Sequence, residues 1–203
     1  LRETVTADIS LSLTFTQQGN STLENPITKY KVTYDCTTNG GNKCEDYNEY
    51  LEQDSNVVLT YQATKDNYDF VGWNTNKDAT TALTTNDLST IDEEDITLYA
   101  IYKKDIAITY TKNANITSIS KESDSCSMYN NAENCTVTLP TITISEDPEE
   151  YDANWYLDNT KIGAPSTTYK VNTNQTLNAR QRLTPLLKKN YLDRKSTRLN
   201  SSH

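Results

Sequence analysis

The sequence is poor in the residues that most often do chemistry. Its single histidine is the terminal residue, His203. That excludes a Ser–His triad and a His-ligated metal centre from everything ahead of it. Phe and Trp number two each and Met one, against fourteen Tyr. Apolar residues make up only 34% of the chain, which excludes one thick core. Thin sheets with one wet face fit instead, because tyrosine packs its ring and keeps its hydroxyl in water. Basic charge is short as well. A net charge of -9 and a pI near 4.6 exclude an electrostatic footprint for nucleic acid. No run of 18 apolar residues occurs, so no helical membrane span is expected. The chain opens inside a strand-like pattern without an initiator Met, and it reads as an internal fragment.

What is present is β-patterned. Val5, Ala7, Ile9, Leu11, Leu13 and Phe15 alternate with polar residues, which predicts a long half-buried strand over residues 4–16. Residues 1–28 are read as the end of a preceding β module plus a linker that runs from Gln17 to Pro26. A module over residues 29–103 follows. Its first strand carries Tyr30, Val32 and Tyr34, and its organising stretch runs from Tyr68 to Tyr102. Tyr68, Phe70 and Trp73 are expected on an inner face, with Gly72 marking a bulge or a close backbone approach. Leu98 and Ala100 point inward from the last strand. Tyr47, Tyr50 and Leu51 lie at helical spacing and predict a short helix within residues 45–55, and Val57 to Tyr61 predicts a strand.

Lys103 and Lys104 mark the module's end, and a second copy over residues 104–183 is expected. Ile106, Ile108 and Tyr110 repeat the first strand; Trp155 follows Trp73 by 82 positions, and Thr176 to Ala179 follows Thr97 to Ala100 by 79. Such offsets indicate a diverged repeat, with Leu177 in the place of Leu98. Pro140 predicts an edge or a bend. Residues 184–192 are a linker or the start of a truncated module. Residues 193–203 match one frame of a common sequencing adapter and are set aside. The fold class is therefore mostly β, α+β at most, as a tandem repeat of two disulfide-containing modules.

Each copy holds one close cysteine pair, Cys36 with Cys44 and Cys126 with Cys135. Four cysteines allow three connectivities, and one pair per module favours local disulfides. Each would be worth roughly 2.5–3 kcal/mol in the chain-entropy model. Zinc is the alternative, but its paired ligands usually stand two to four residues apart. Disulfides imply an oxidising, extracellular compartment.

Val32-Thr33-Tyr34-Asp35, Thr38-Asn39-Gly40-Gly41, Tyr68-Asp69-Phe70-Val71-Gly72-Trp73-Asn74-Thr75 and Ile96-Thr97-Leu98-Tyr99-Ala100-Ile101-Tyr102 occur in that order. In these residues the chain resembles the Listeria–Bacteroides repeat, the internalin-type B-repeat family of bacterial surface proteins. The second copy resembles the family more distantly, lacking Gly-Gly in its first loop and Gly before Trp155. The resemblance implies small β-grasp-like modules strung in tandem on the bacterial cell surface, with no catalytic residues to carry over.

Blander readings of the remaining motifs outweigh the sharper ones. Trp73 and Trp155 could stack on sugars, but their repeated place beside a strand favours core. Asn74 to Asp78 resembles the start of a calcium loop, yet it lacks the glycine and the distal Glu, so a turn is favoured. No metal and no cofactor is expected. The expected function is a non-enzymatic, secreted stalk or spacer in a cell-wall or adhesin-type surface protein. Its expected partners are neighbouring repeat modules, with a host glycan or protein as ligand in the alternative of an adhesion module. A third reading is an accessory domain of a secreted carbohydrate-active enzyme.

Overall fold

The computed structural model describes residues 27–42 and 47–184. The strand expected over 4–16, the linker over 17–26, and the segments 185–192 and 193–203 lie outside them. The described residues form twelve strands and no helix.

The first four strands are β1 (Lys29–Asp35), β2 (Tyr47–Glu52), β3 (Asp69–Asn74) and the 17-residue β4 (Ile96–Lys112). β1 pairs antiparallel with β2 and parallel with the first part of β4, while β3 pairs antiparallel with that same part. The remaining strands are β5 (Ile116–Ile119), β6 (Ser123–Tyr129), β7 (Cys135–Thr138), β8 (Ile142–Ile144), β9 (Tyr151–Leu157), β10 (Thr160–Gly163), β11 (Thr168–Val171) and β12 (Gln175–Leu183). β6 pairs antiparallel with the second part of β4, β12 pairs parallel with it, and β9 pairs antiparallel with β12. The second half thus repeats the pairing plan of the first. β4 closes one unit and opens the other, joining both in one eight-stranded sheet.

Equivalent residues meet in both halves. Trp73 faces Ala100 across β3 and β4, and Trp155 faces Ala179 across β9 and β12. Tyr34 pairs with Leu98, and Tyr110 with Leu177. The tyrosine ring meets its tryptophan edge-on at 5.2 Å in the first half and 5.0 Å in the second. Each indole N–H donates to a carbonyl at 2.8 Å, that of Tyr61 for Trp73 and that of Pro140 for Trp155. Edge-to-face rings and a satisfied indole are how a large aromatic is buried without a polar penalty. Two separate cores result, one around Trp73 and one around Trp155. Tyr68 is only partly buried and packs against both.

Several expectations need correction. Residues 47–52 are a strand, not part of a helix. Glu49 turns inward with Leu51 because it accepts hydrogen bonds from the Tyr34 and Tyr61 hydroxyls. That inward carboxylate hid the alternation. Val57 to Tyr61 forms no strand: Val57 is buried, but its N–H donates to the Ser89 carbonyl beside an isolated Asn56–Thr90 bridge. At Lys103–Lys104 the first core gives way to the second while β4 runs straight through.

Gly72 sits at the bulge between Phe70 and Trp73 with φ 139°, and a Cβ there would lie 2.5 Å from the Ala82 methyl. Only glycine suits both demands. Pro140 follows the end of β7 and separates it from β8, which pairs with β5 instead.

Candidate functional site

The polar groups that converge do so where the two units meet. After β1, the loop of residues 36–42 turns through Gly40 at φ 77°. The Asp35 carboxylate accepts from the amides of Thr37 and Thr38, both at 2.9 Å, and from both hydroxyls. Burial pushes the Asp35 carboxyl up, but the bonds from Thr38 and Thr37 outweigh it and hold it below its ordinary value. A carboxyl lowered in the folded state contributes stability above its unfolded pKa, about 3.9. That contribution is lost as pH falls through the folded value. Asp35→Asn is therefore expected to flatten the acid limb of a stability–pH curve below about pH 4, measured by urea denaturation at stepped pH.

Next in the loop, the buried Asn39 amide donates to the carbonyls of Lys77 and Ala100, both at 2.9 Å. From the second unit, the turn after β6 brings in Asn130, buried and at φ 53°. Its Oδ1 accepts from the Tyr102 amide at 3.0 Å, and its Nδ2 donates to the carbonyls of Lys77 and Ala79 at 3.1 and 3.0 Å. Its own N–H donates to the Tyr102 carbonyl at 2.9 Å. Asn131 adds a bond to the Thr38 carbonyl.

Lys65 ties the two sides together. Its ammonium donates to the Asn39 carbonyl at 2.9 Å and to the Asn130 carbonyl, and it stands 4.2 Å from the centroid of the Tyr68 ring. Burial lowers its pKa. The Tyr102 hydroxyl donates to the Cys36 carbonyl at 3.2 Å. Burial and then the nearby Asp35 charge push that phenol up to about 12. Gly41 has to be glycine here, since a Cβ would lie 2.3 Å from the Tyr102 hydroxyl and 2.4 Å from the Cys36 carbonyl.

Chemically this is a plug in a socket. A cleft of about 390 Å³ opens beside it, but the side-chain amides of Asn39 and Asn130 that line it are already bound to backbone. Nothing in the set is arranged as nucleophile and base. Among the described residues no cluster of His, Cys, Asp and Glu is placed to hold a metal ion. Residues 74–78 form a pair of Asx turns: Asn74 Oδ1 accepts from the Asn76 amide, Asn76 Oδ1 accepts from the Asp78 amide, and Lys77 pairs with Asp78.

Gly72, Trp73, Leu98, Ala100, Trp155 and Leu177 are buried, whereas Tyr68 and Phe70 are half-buried at the rim of the cores. Cys126 and Cys135 are disulfide-bonded with a Cα–Cα distance of 5.9 Å. Cys36 is disulfide-bonded too, and Cys44 lies outside the described residues. Reducing the Cys126–Cys135 bond is expected to cost about 2.5 kcal/mol for so short a loop, read from urea curves of Cys126→Ser/Cys135→Ser against the parent. Asn39 stands in the Thr38-Asn39-Gly40-Gly41 motif without a contact role read for it, and Lys65 and Asn130 were missed because single polar residues in turns carry no periodic signal.

The sequence model of the Listeria-Bacteroides repeat domain matches residues 30–101. No curated protein and no solved structure matches the chain.

Proposed function

We propose that this segment is a non-catalytic spacer in a bacterial surface protein, a reading supported by the match of residues 30–101 to the sequence model of the Listeria-Bacteroides repeat domain. In this reading it holds an adhesive or other head domain away from the cell. The observation that supports it most directly is β4, a single strand with its first half in one unit and its second half in the other. Two beads on a flexible linker would transmit position poorly. Two units built on one strand of 17 residues are held at a fixed separation, with β4 alone spanning roughly 55 Å at the usual rise of a strand. The plug of Asn130 and the bridge of Lys65 stiffen the same joint.

A spacer also needs a surface that attracts little. Among the described residues the exposed large apolar side chains are Ile27 ahead of β1, Tyr50 on β2 and Leu183 on β12, and apolar residues scattered singly do not form a docking patch. No helix of the described residues is long and apolar enough to cross a membrane.

The test is antibody raised against residues 27–184, applied to intact and to lysed cells of the producing bacterium. Labelling of intact cells, removed by external protease, is expected. Labelling only after lysis would overturn the surface reading. Saturable binding of the purified chain to a host glycan or matrix protein would replace the spacer by the adhesion alternative.

A further inference from the structure

We infer that the paired units form a tension-bearing clamp in which β1, β4 and β12 are loaded in shear. The inference rests on strand direction and stands independently of where the protein is located. β1 runs parallel to the first part of β4, from Val32 opposite Ile96 to Asp35 opposite Tyr99. β12 runs parallel to the second part, from Gln175 opposite Ile108 to Ala179 opposite Lys112. The chain therefore enters β1 at the upstream end of β4 and leaves β12 at its downstream end.

Pulling Lys29 and Leu183 apart drags β1 backward along β4 and β12 forward along it. Hydrogen bonds in a parallel ladder are evenly spaced, so a sliding force strains those of each ladder together rather than one after another. Side chains add to the resistance. Tyr34 opposite Leu98, and Tyr110 opposite Leu177, are buried pairs on the sliding strands, and close-packed side chains cannot move past one another without opening space. The Cys126–Cys135 bond also keeps the residues it spans from adding length when the second unit yields.

Other directions lack this geometry. Lys29 faces Glu52 at one end of the antiparallel β1–β2 pair, and a pull between them opens that ladder one bond at a time. The segment is thus strong along the chain and weak across it, which suits a tether that is pulled more than a strut that is pushed.

Single-molecule force spectroscopy on the full chain tests this, with non-cysteine handles at Lys29, Glu52 and Leu183, all exposed. Forced unfolding reports the barrier along the pulling direction, and Lys29–Leu183 is expected to rupture at no less than about twice the force of Lys29–Glu52 at equal loading rate. Tyr151–Leu183, partners across β9 and β12, supplies a second unzipping pair and is expected to behave like Lys29–Glu52. Equal forces in all three geometries, or a lower force end to end, would overturn the clamp. Neither result bears on the antibody test of surface location, so the two readings can fail separately.

Discussion

Trp155→Ala lowers the free energy of unfolding by about 3–5 kcal/mol, the usual range for removing a buried tryptophan. The side chain is fully buried, its indole N–H serves the Pro140 carbonyl, and Tyr110 packs edge-on against it. Truncation opens a cavity beside Ala179 and leaves that carbonyl without its donor. A domain of this size has only about 5–15 kcal/mol in total, so the second unit is left near its threshold. The damage does not stop there. β4 loses its β6 and β12 partners, and Asn130 leaves its socket against Tyr102. Urea denaturation followed by fluorescence checks this well, because Trp73 is then the one tryptophan remaining and reports the first unit. Trp155→Phe, which keeps most of the ring volume, is expected to recover a good part of the loss. A cost under about 1 kcal/mol would mean that the site collapses freely and is not a packed core.

Asn130→Ala is expected to cost about 3–4 kcal/mol. Three side-chain hydrogen bonds disappear, each worth about 1 kcal/mol net, and the groups left buried without partners add to that. The left-handed backbone at φ 53°, which asparagine tolerates better than alanine, adds up to about 1 kcal/mol. Asn130→Gly separates the two contributions, since it loses the same bonds without the backbone strain. The more telling readout is cooperativity. With the plug intact both units are expected to unfold in one transition, and with Asn130→Ala in two, seen as a broadened or split calorimetric trace. A single sharp transition in both proteins would show that the Asn130 side chain is not what couples the units.

The architecture was legible where burial leaves a periodic trace. Trp73 and Trp155, Leu98 and Leu177, Ala100 and Ala179 could be aligned by eye because each sits on a strand whose inner face is apolar. Gly72 was legible because it interrupts such a strand. Glu49 defeated the same reasoning: a carboxylate pointing inward to serve two tyrosine hydroxyls looks, in sequence, like solvent-facing polarity. Val57 misled in the opposite sense, as a buried apolar residue held by loop hydrogen bonds rather than by a ladder. The junction was legible only at Asn39-Gly40-Gly41, and there as part of a motif rather than as a contact between units. Lys65 stands in no apolar run, yet the fold places it between Tyr68 and the Asn39 and Asn130 carbonyls. Its partners come from turns 26 and 65 positions away, and contacts of that range leave no local pattern.

On β4 the side chains of Leu98, Ala100 and Tyr102 enter the first core, and those of Ile106, Ile108 and Tyr110 enter the second. All six positions are even-numbered, so both interiors lie on the same side of one ribbon. Successive side chains of a strand alternate between its faces, so a single residue added at Lys103–Lys104 would turn the second interior outward, whereas two would preserve the phase. The joint between these units is therefore a counted length, and repeats linked this way can change by whole steps of two but not by one.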